Sequence, residues 1–439
     1  MQPILDKDFI PAIIWNRNFL KNATKDISIA VERETGLFYR YDAKIGSNDK
    51  DNAFYIERLV KMMLYVFGGI TIYVNDEGMA KYLSECYSEN GLRSFDKMFM
   101  ERVFEKEFKV VYTDAIPQTK DDTIAVGRKM NGFRVGLDLG GSDMKVSSMR
   151  NGDIIFAEEV VWLPMLNDNS AYHYEQIRNV IALGVEKLGG KIDAIGISTP
   201  GVCSENRIKI ASMFIKVPID EFNEKVKDIY INVAKGFGVP VSVVNDGDVA
   251  ALAGSIWLRK NNILGIAMGT SEAAGFIDRT GNITGRLNEL AFAPVDYNTS
   301  SIHDEWSDDF GVGSQYFSQD AVIRLAPLAG ITLPDHLTPP EKLKEVQELL
   351  QEGHSGARKI FETIGVYFGY AIAYYAEFYD IEYVQVLGRV LSGEGGDIII
   401  EKANAVLNEE FPELTKKFTL YVPCEYEKRI GQSIAAASL

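Results

Sequence analysis

Residues 133–245 carry an order of elements that few folds accommodate: three strand-like runs, a helix, a strand, a helix and a strand. Residues 133–137 and 144–149 read as two arms of a hairpin, with Asp138, Leu139, Gly140, Gly141 and Ser142 at the bend. Residues 154–161 supply the third strand, and residues 174–188 a helix. A buried strand at 194–198 ends in Thr199-Pro200-Gly201. A helix at 221–237 then leads to a strand at 241–244, which stops at Asn245-Asp246-Gly247-Asp248. A second hairpin begins at Ile263, with Gly269-Thr270-Ser271 at its tip, so the plan runs twice. The expectation is an α/β fold built from two related lobes.

The first bend admits two readings. Gly-Gly between alternating apolar residues is an ordinary hairpin signal. The same bend also suits a polyphosphate: residues without side chains let backbone N–H groups approach, and Ser142 adds a donor. Asp138 can face a phosphate-bound Mg²⁺ through water. Charge narrows the partners. The chain of 439 residues has a net charge of −16, which opposes a nucleic-acid groove or an anionic membrane surface. Residues 1–130 carry 19 basic and 20 acidic side chains, so nearly all the acidity lies beyond them. Cys86, Cys203 and Cys424 are odd in number and far apart, as expected of buried thiols in a reducing compartment rather than a disulfide framework. The N-terminus has acidic residues before any apolar run. The greasiest stretch, residues 62–74, is too short to span a bilayer and is broken by Gly68-Gly69. The expected location is the cytoplasm.

The first 130 residues read as a separate α/β domain. They show a hairpin at 27–41 turning at Glu34-Thr35-Gly36, then a helix with Ile56, Leu59, Val60, Met63 and Leu64 on its buried face. A strand at 70–74, helices at 77–88 and 94–104 and a strand at 109–113 follow. The polar stretch 117–122 is the linker candidate. The expected division is an N-terminal domain 1–130, a first lobe 131–245 with the helix 426–439 packed back on it, and a second lobe 246–425. A lid, a docking module or a dimerisation arm are the roles considered for 1–130.

With these motifs in this order, the chain resembles the ROK family of sugar kinases and sugar-responsive repressors, within the actin-like ATPase fold of duplicated ribonuclease H-like lobes. The similarity runs over residues 133–439. It implies ATP and Mg²⁺ as cofactors and a small sugar as substrate. The implied phosphate and nucleotide contacts are Asp138 (the Mg²⁺ side, through water), Gly140, Gly141 and Ser142 in the first turn, Gly269, Thr270 and Gly275 in the second, and Gly388 in the adenosine loop Val386-Leu387-Gly388. Asp246 is the implied catalytic base, and Asn245, Gly201 and Glu289 the implied substrate contacts. A carboxylate at a strand end suits proton removal from an attacking hydroxyl, because phosphoryl transfer asks an enzyme chiefly for positioning and charge neutralisation. Local sequence offers another role: Asp246 or Asp248 can cap the helix that begins there. Glu289 can likewise be a solvated loop acid.

The chain departs from the family pattern at several points. Glu289 is followed by Leu290, Ala291 and Phe292 where the family has a Gly-His pair, and no cysteine lies between Cys203 and Cys424. No structural zinc is therefore expected, and His303 with Asp304, Glu305, Asp308 and Asp309 reads as a solvated face. Ser212-Met213 stands where the family's sugar-contacting Pro-Asn pair falls. Ser271, Glu272, Ala273 and Ala274 replace glycine-rich sequence, which would crowd a phosphate cradle and set a carboxylate against it. Arg389 in the adenosine loop either blocks a purine or stacks on it. His173, His336 and His354 read as surface residues. The stripe Tyr367, Tyr370, Tyr374, Tyr375 and Tyr379 reads as core or interface packing, and a homodimer through it is allowed. The leading expectation is an ATP-dependent carbohydrate kinase. A non-catalytic sugar or nucleotide sensor, or an ATPase acting on a partner protein, are the alternatives. A DNA-binding repressor fits less well, since residues 1–130 lack a basic helix-turn-helix.

Overall fold

The computed structural model describes residues 1–34, 36–121 and 126–439. Thr35 of the expected hairpin turn and Asp122 of the expected linker lie outside the described residues. Contacts group the chain into two compact units. The first comprises Met1–Asp122, Ile266–Ala274 and Arg286–Tyr421, and the second Thr123–Gly265, Gly275–Gly285 and Val422–Leu439. These bounds differ from the three consecutive segments suggested by the sequence: residues 1–122 share a unit with the late part of the chain. Among the described residues no helix is long and apolar enough to cross a membrane.

In the first unit, β1 (Lys25–Glu32) pairs antiparallel with β2 (Phe38–Ile45) and with β3 (Thr71–Val74), and β3 pairs parallel with β4 (Lys109–Tyr112). The helix Asp49–Phe67 starts at an Asn48 cap that accepts the N–H groups of Lys50 and Asp51. Every residue from Tyr55 to Phe67 is buried, including Glu57, Arg58 and Lys61. The expected apolar face is there, yet the opposite face is buried too. Its charges are neutralised in place: Arg58 grips Asp309 with two bonds of 2.8 and 2.9 Å, and Lys61 reaches Asp96 at 2.9 Å and Asp309 at 3.0 Å. Arg93 binds Asp309 at 2.7 Å and also pairs with Glu57. Three cations thus meet three carboxylates, all out of solvent. Asp309 therefore does not belong to a solvated acidic face. Burial alone would raise its pKa, but Lys61, Arg58 and Arg93 outweigh that and hold it far below the ordinary carboxylate range.

The N-terminal segment lies on the helix Ser355–Tyr375. The Phe9 ring stands 4.6 Å from that of Tyr367, the Tyr370 hydroxyl donates to the Met1 carbonyl at 2.8 Å, and Ala12 N–H donates to Val295 at 3.0 Å. The tyrosine stripe is packing, and the chain's own N-terminus helps to bury it.

In the second unit, β5 (Phe133–Leu139), β6 (Asp143–Arg150) and β7 (Asp153–Val161) form an antiparallel meander. β8 (Ala194–Thr199) runs parallel to β5, β9 (Val202–Ser204) and β10 (Arg207–Ile210) form a separate hairpin, and β11 (Val241–Asn245) runs parallel to β8. The sheet order is β11-β8-β5-β6-β7. The helix Ser170–Lys187 packs Ile177, Val180 and Ile181 against Val135, Leu137 and Val146 of the sheet. The helix Glu425–Ala437 closes the unit, with Ser433 bonded to Ser147 at 2.6 Å and Arg134 donating to the Ala437 carbonyl at 2.7 Å. Two local expectations change. The helix expected at 221–237 splits into a short α-turn, a π-turn Phe222–Val226 and the helix Ile229–Phe237; the wider turn seats both Phe222 and Val226 in the core. His173 is fully buried, its ring edge-on to Phe214 at 4.9 Å and to Trp162 at 6.2 Å.

The strands β12 (Ile263–Met268), β13 (Glu272–Ile277), β14 (Tyr383–Leu387) and β15 (Thr419–Tyr421) form a sheet in the order β13-β12-β14-β15. Beyond β13 the chain adds an isolated antiparallel bridge between Ile277 and Ile283.

Asp309 joins all three buried cations, so Asp309→Ala leaves uncompensated charge in the core. Urea unfolding of the variant is expected to show a loss of about 3–5 kcal/mol; a loss below about 1 kcal/mol would contradict a desolvated network.

Candidate functional site

In the second unit, parallel register brings three strand ends together. Asp138 at the end of β5 lies opposite Ser198, and Thr199 at the end of β8 lies opposite Asn245. Carboxyl ends of parallel strands are where open α/β sheets bind ligands. The Ser198 hydroxyl donates to Asp138 Oδ1 at 2.6 Å, and Thr199 shares a 2.7 Å bond with the buried Tyr230 hydroxyl. Burial pushes the Asp138 pKa up, the Ser198 bond and Lys145 pull it back, and Asp143 adds to the rise. Asp246 opens the helix Asp246–Leu258. Burial, then the charge of Asp138, pushes its carboxyl up to about 6, against the Gly247 N–H bond. That N–H is shared, at 2.8 Å with Asn245 Oδ1 and at 2.9 Å with Asp246 Oδ1. The principal cap is thus Asn245. Asp248 instead accepts the Phe276 N–H at 3.1 Å.

Asn245 also donates to the Gly201 carbonyl at 2.8 Å, tying the loop after β8 to the end of β11. Its amide is therefore largely spent on the backbone, and one N–H remains for the substrate contact that the sequence suggested.

The turn Gly140-Gly141-Ser142 is tight, with Gly140 N–H donating to the Asp143 carbonyl at 2.7 Å. Trp162 holds it from one side: its indole donates to the Gly140 carbonyl at 2.8 Å and its own N–H to the Ser142 carbonyl at 3.1 Å. Neither Gly140 nor Gly141 has a positive φ. Gly141 contributes open space, since a Cβ there would meet only the Met165 methyl, at 3.7 Å, whereas a Cβ on Gly140 would lie 3.1 Å from the Asp143 carbonyl oxygen. Gly141 and Ser142 are exposed.

In the first unit, Gly269 N–H donates to the Ser271 carbonyl at 3.0 Å, and Gly269 accepts from Gln319 at 2.9 Å. Thr270 and Ser271 are exposed, whereas Glu272 turns inward and is 4% exposed. Its carboxyl accepts from the Tyr375 hydroxyl at 3.3 Å, and its other oxygen has no partner. Burial pushes it up to about 8; the Tyr375 bond opposes the rise and the charge of Glu289 adds to it. At neutral pH it keeps its proton, so it does not set a negative charge against the turn as the sequence suggested. Arg389 extends toward Thr270 Oγ1, at 3.5 Å. Glu289 is half-buried, its N–H donating to Tyr65 at 2.9 Å at the end of the helix Asp49–Phe67.

Close packing requires glycine at two of the predicted positions. Gly275 lies inside β13 and not at the tip of the turn; a Cβ there would fall 2.3 Å from the backbone of Gly247 and Asp248, both in the second unit. Gly388 has φ 108° and presses on Met268, where a Cβ would lie 2.3 Å from the carbonyl oxygen.

No side chain forms an ion pair with Asp138 or Asp246 among the described residues. One buried and one half-buried carboxylate, both outside ion pairs and beside the glycine turn, fit a hydrated Mg²⁺, which takes one or two carboxylates and keeps several waters. No group of three His, Cys, Asp or Glu side chains suited to a metal ion occurs among the described residues. Ser198, Thr199, Tyr230 and Trp162 belong to the site although sequence reading did not single them out; Ser-Thr at the end of a buried strand before Pro-Gly was the available signal for the first two.

No family profile and no curated protein matches the chain. Solved structures do. A ROK hexokinase from Thermus thermophilus aligns with a TM-score of 0.54 at 18% identity, over 70% of this chain and 97% of that one. A ROK family glucokinase from Streptomyces griseus, solved with glucose and AMPPNP, aligns with a TM-score of 0.51 at 19% identity, over 70% of this chain and 98% of that one. A ROK family transcriptional regulator, homologous to the E. coli MLC protein, aligns with a TM-score of 0.54 at 14% identity, over 71% and 79% of the two chains. The chain has the fold of the ROK sugar kinases, an actin-like α/β architecture.

Glu272 links this geometry to stability. Its ordinary value of 4.5 in the unfolded chain and about 8 in the fold mean that the native state holds a proton the unfolded state has lost between those values. Its contribution is complete below pH 4.5 and is lost as pH rises through about 8. Glu272→Gln keeps the shape without the ionisation. Urea midpoints at pH 5 and pH 8 are expected to differ less in the variant than in the native chain; an equal or larger difference in the variant would contradict the assignment.

Proposed function

We propose that the chain transfers the terminal phosphoryl group of ATP to a hydroxyl of a sugar or sugar derivative. The observation that carries this reading is the placement of Asp138 at the end of β5 and Asp246 just after β11, on either side of β8 and outside any ion pair among the described residues, beside the turn Gly140-Gly141-Ser142. The fold shared with ROK sugar kinases supports it.

In this reading Asp246 is the general base. Near neutrality it is largely ionised, as removal of the proton from the attacking hydroxyl requires. Ser198 orients Asp138, which would hold Mg²⁺ through water; when bound, the ion neutralises charge on the phosphate oxygens. Gly140, Gly141 and Ser142 offer backbone and hydroxyl donors to phosphate, and Trp162 keeps their turn in shape. Gly201, the remaining Asn245 N–H and Glu289 are inferred sugar contacts. Gly269, Thr270 and Gly388 are inferred nucleotide contacts, with Arg389 adding positive charge beside Thr270. Gly275 is left out of this set because its role is close packing on Gly247.

A non-catalytic sensor is the second reading, favoured by the fold match to a transcriptional regulator. A panel of hexoses with ATP and Mg²⁺, followed by ³¹P NMR, separates the two: a phosphorylated sugar supports the kinase, and thermal stabilisation by a sugar without phosphate transfer supports the sensor. With a substrate in hand, Asp246→Asn is expected to lower turnover about 10²–10⁴-fold while leaving nucleotide affinity unchanged. Undiminished turnover would remove Asp246 from the mechanism.

A further inference from the structure

Among the buried titratable groups that the proposed reaction leaves unused, Glu272 stands in the most crowded surroundings. It opens β13 two residues after Thr270, with its side chain turned into the first unit. Oε1 accepts from the Tyr375 hydroxyl at 3.3 Å, and Oε2 is buried without a donor. Oε2 lies 2.1 Å from the point where a Cβ on Gly313 would stand, and the Leu290 carbonyl oxygen lies 2.5 Å from the same point. The two oxygens share a space that only a residue without a side chain leaves free. As a carboxylate, Glu272 would set negative charge against the carbonyl. As an acid, it has a proton to donate, and this carbonyl is an acceptor beside it. The titratable groups that face Glu272 are Tyr375, with Tyr379 beside it, and Glu289. The segments Leu290–Phe292 and Gly313–Gln315 bring no charged side chain.

We propose that Glu272 is a positioning residue for Glu289: its Oε2 carries a proton donated to the Leu290 carbonyl, and this bond fixes the segment that presents Glu289. The inference rests on the reading that Glu289 contacts the phosphoryl acceptor. The backbone around Glu289 is held on one side by the helix Asp49–Phe67, with Asn288 N–H donating to Val66 at 3.1 Å and Glu289 N–H to Tyr65 at 2.9 Å. On the other side the Leu290 carbonyl accepts the Ala293 N–H at 2.9 Å and keeps a second lone pair for Glu272. Because Glu272 directly follows the turn Gly269-Thr270-Ser271, the bond also ties the inferred nucleotide contacts to the inferred sugar contact within the first unit. Ionisation removes the proton and leaves two oxygens facing each other, so the segment loosens as pH rises through about 8. Tyr375 remains a donor throughout, since burial pushes its own ionisation far up.

The test follows amide hydrogen exchange of the full chain at pH 6.5 and pH 9.5, expressed as protection factors so that the intrinsic pH dependence of exchange cancels. The amides of Glu289, Phe292 and Ala293 are expected to lose about tenfold in protection at the higher pH, as when a buried hydrogen bond is replaced by an unsatisfied acceptor. In Glu272→Gln, whose side-chain amide donates at both pH values, the change is expected to stay below about twofold. Calorimetric titration with glucose, mannose, galactose and N-acetylglucosamine at the same two pH values reads the consequence for Glu289. A sugar that binds is expected to lose about tenfold in affinity at pH 9.5 in the native chain and below about twofold in Glu272→Gln. Protection in the native chain that does not change with pH would overturn the proposal, a result that stands whether or not the variant folds. An equal loss of protection in Glu272→Gln would overturn it too, as would a sugar whose affinity for the native chain is the same at both pH values. If protection behaves as expected but none of the four sugars binds at either pH, the bond from Glu272 to Leu290 stands and the reading of Glu289 as an acceptor contact falls.

Discussion

The parallel register of β5, β8 and β11 sets the chemistry of the second unit. Asp138 pairs with Ser198 and Asn245 with Thr199, so the polar ends of three strands reach the same edge of the sheet. A slip of one residue in β5 would exchange Asp138 for Leu137 or Leu139 and turn its side chain to the other face of the sheet. The same register places Asp246, the first residue after β11, within electrostatic reach of Asp138. The mutual repulsion raises the Asp246 carboxyl further than burial alone. Fold and site chemistry are thus joined by backbone hydrogen bonds rather than by any mobile element.

A different constraint governs the first unit. The helix Asp49–Phe67 is buried around its whole circumference, which an amphipathic helix cannot tolerate without neutralising its polar face. Asp309, far away in sequence, supplies the shared carboxylate for Arg58, Lys61 and Arg93. This ion network explains why the first 122 residues group with a late segment instead of standing alone. The aromatic contacts of Phe9 with Tyr367 and Tyr316 act the same way on the N-terminal segment.

Much of the fold was legible because it rests on local rules. Alternation of apolar residues marks β5 and β6, and the helical spacing of Ile56, Leu59 and Val60 marks their helix. Gly140-Gly141 marks a turn whatever surrounds it. The strand end and helix start at Asn245-Asp246 were legible because consecutive residues mark them. A residue's surroundings were not legible where they come from something distant. Gly275 looks like part of a phosphate turn, yet it is glycine because the backbone of Gly247 lies against it. Glu272 looks like a charge beside a phosphate, yet it faces Tyr375 and is protonated near neutrality. Asn245 spends its amide on Gly247 and Gly201, a pairing that no spacing rule reveals.

By itself, then, the sequence determined the order of strands and helices, the two glycine-tipped hairpins and the acidic strand end, because each depends on periodicity and backbone freedom within a few residues. Tertiary structure alone decided which carboxylates are ionised and which glycines serve packing. Those properties depend on burial and on neighbours brought from elsewhere in the chain. Desolvation and pairing act over a few ångströms of space, whatever the distance along the chain.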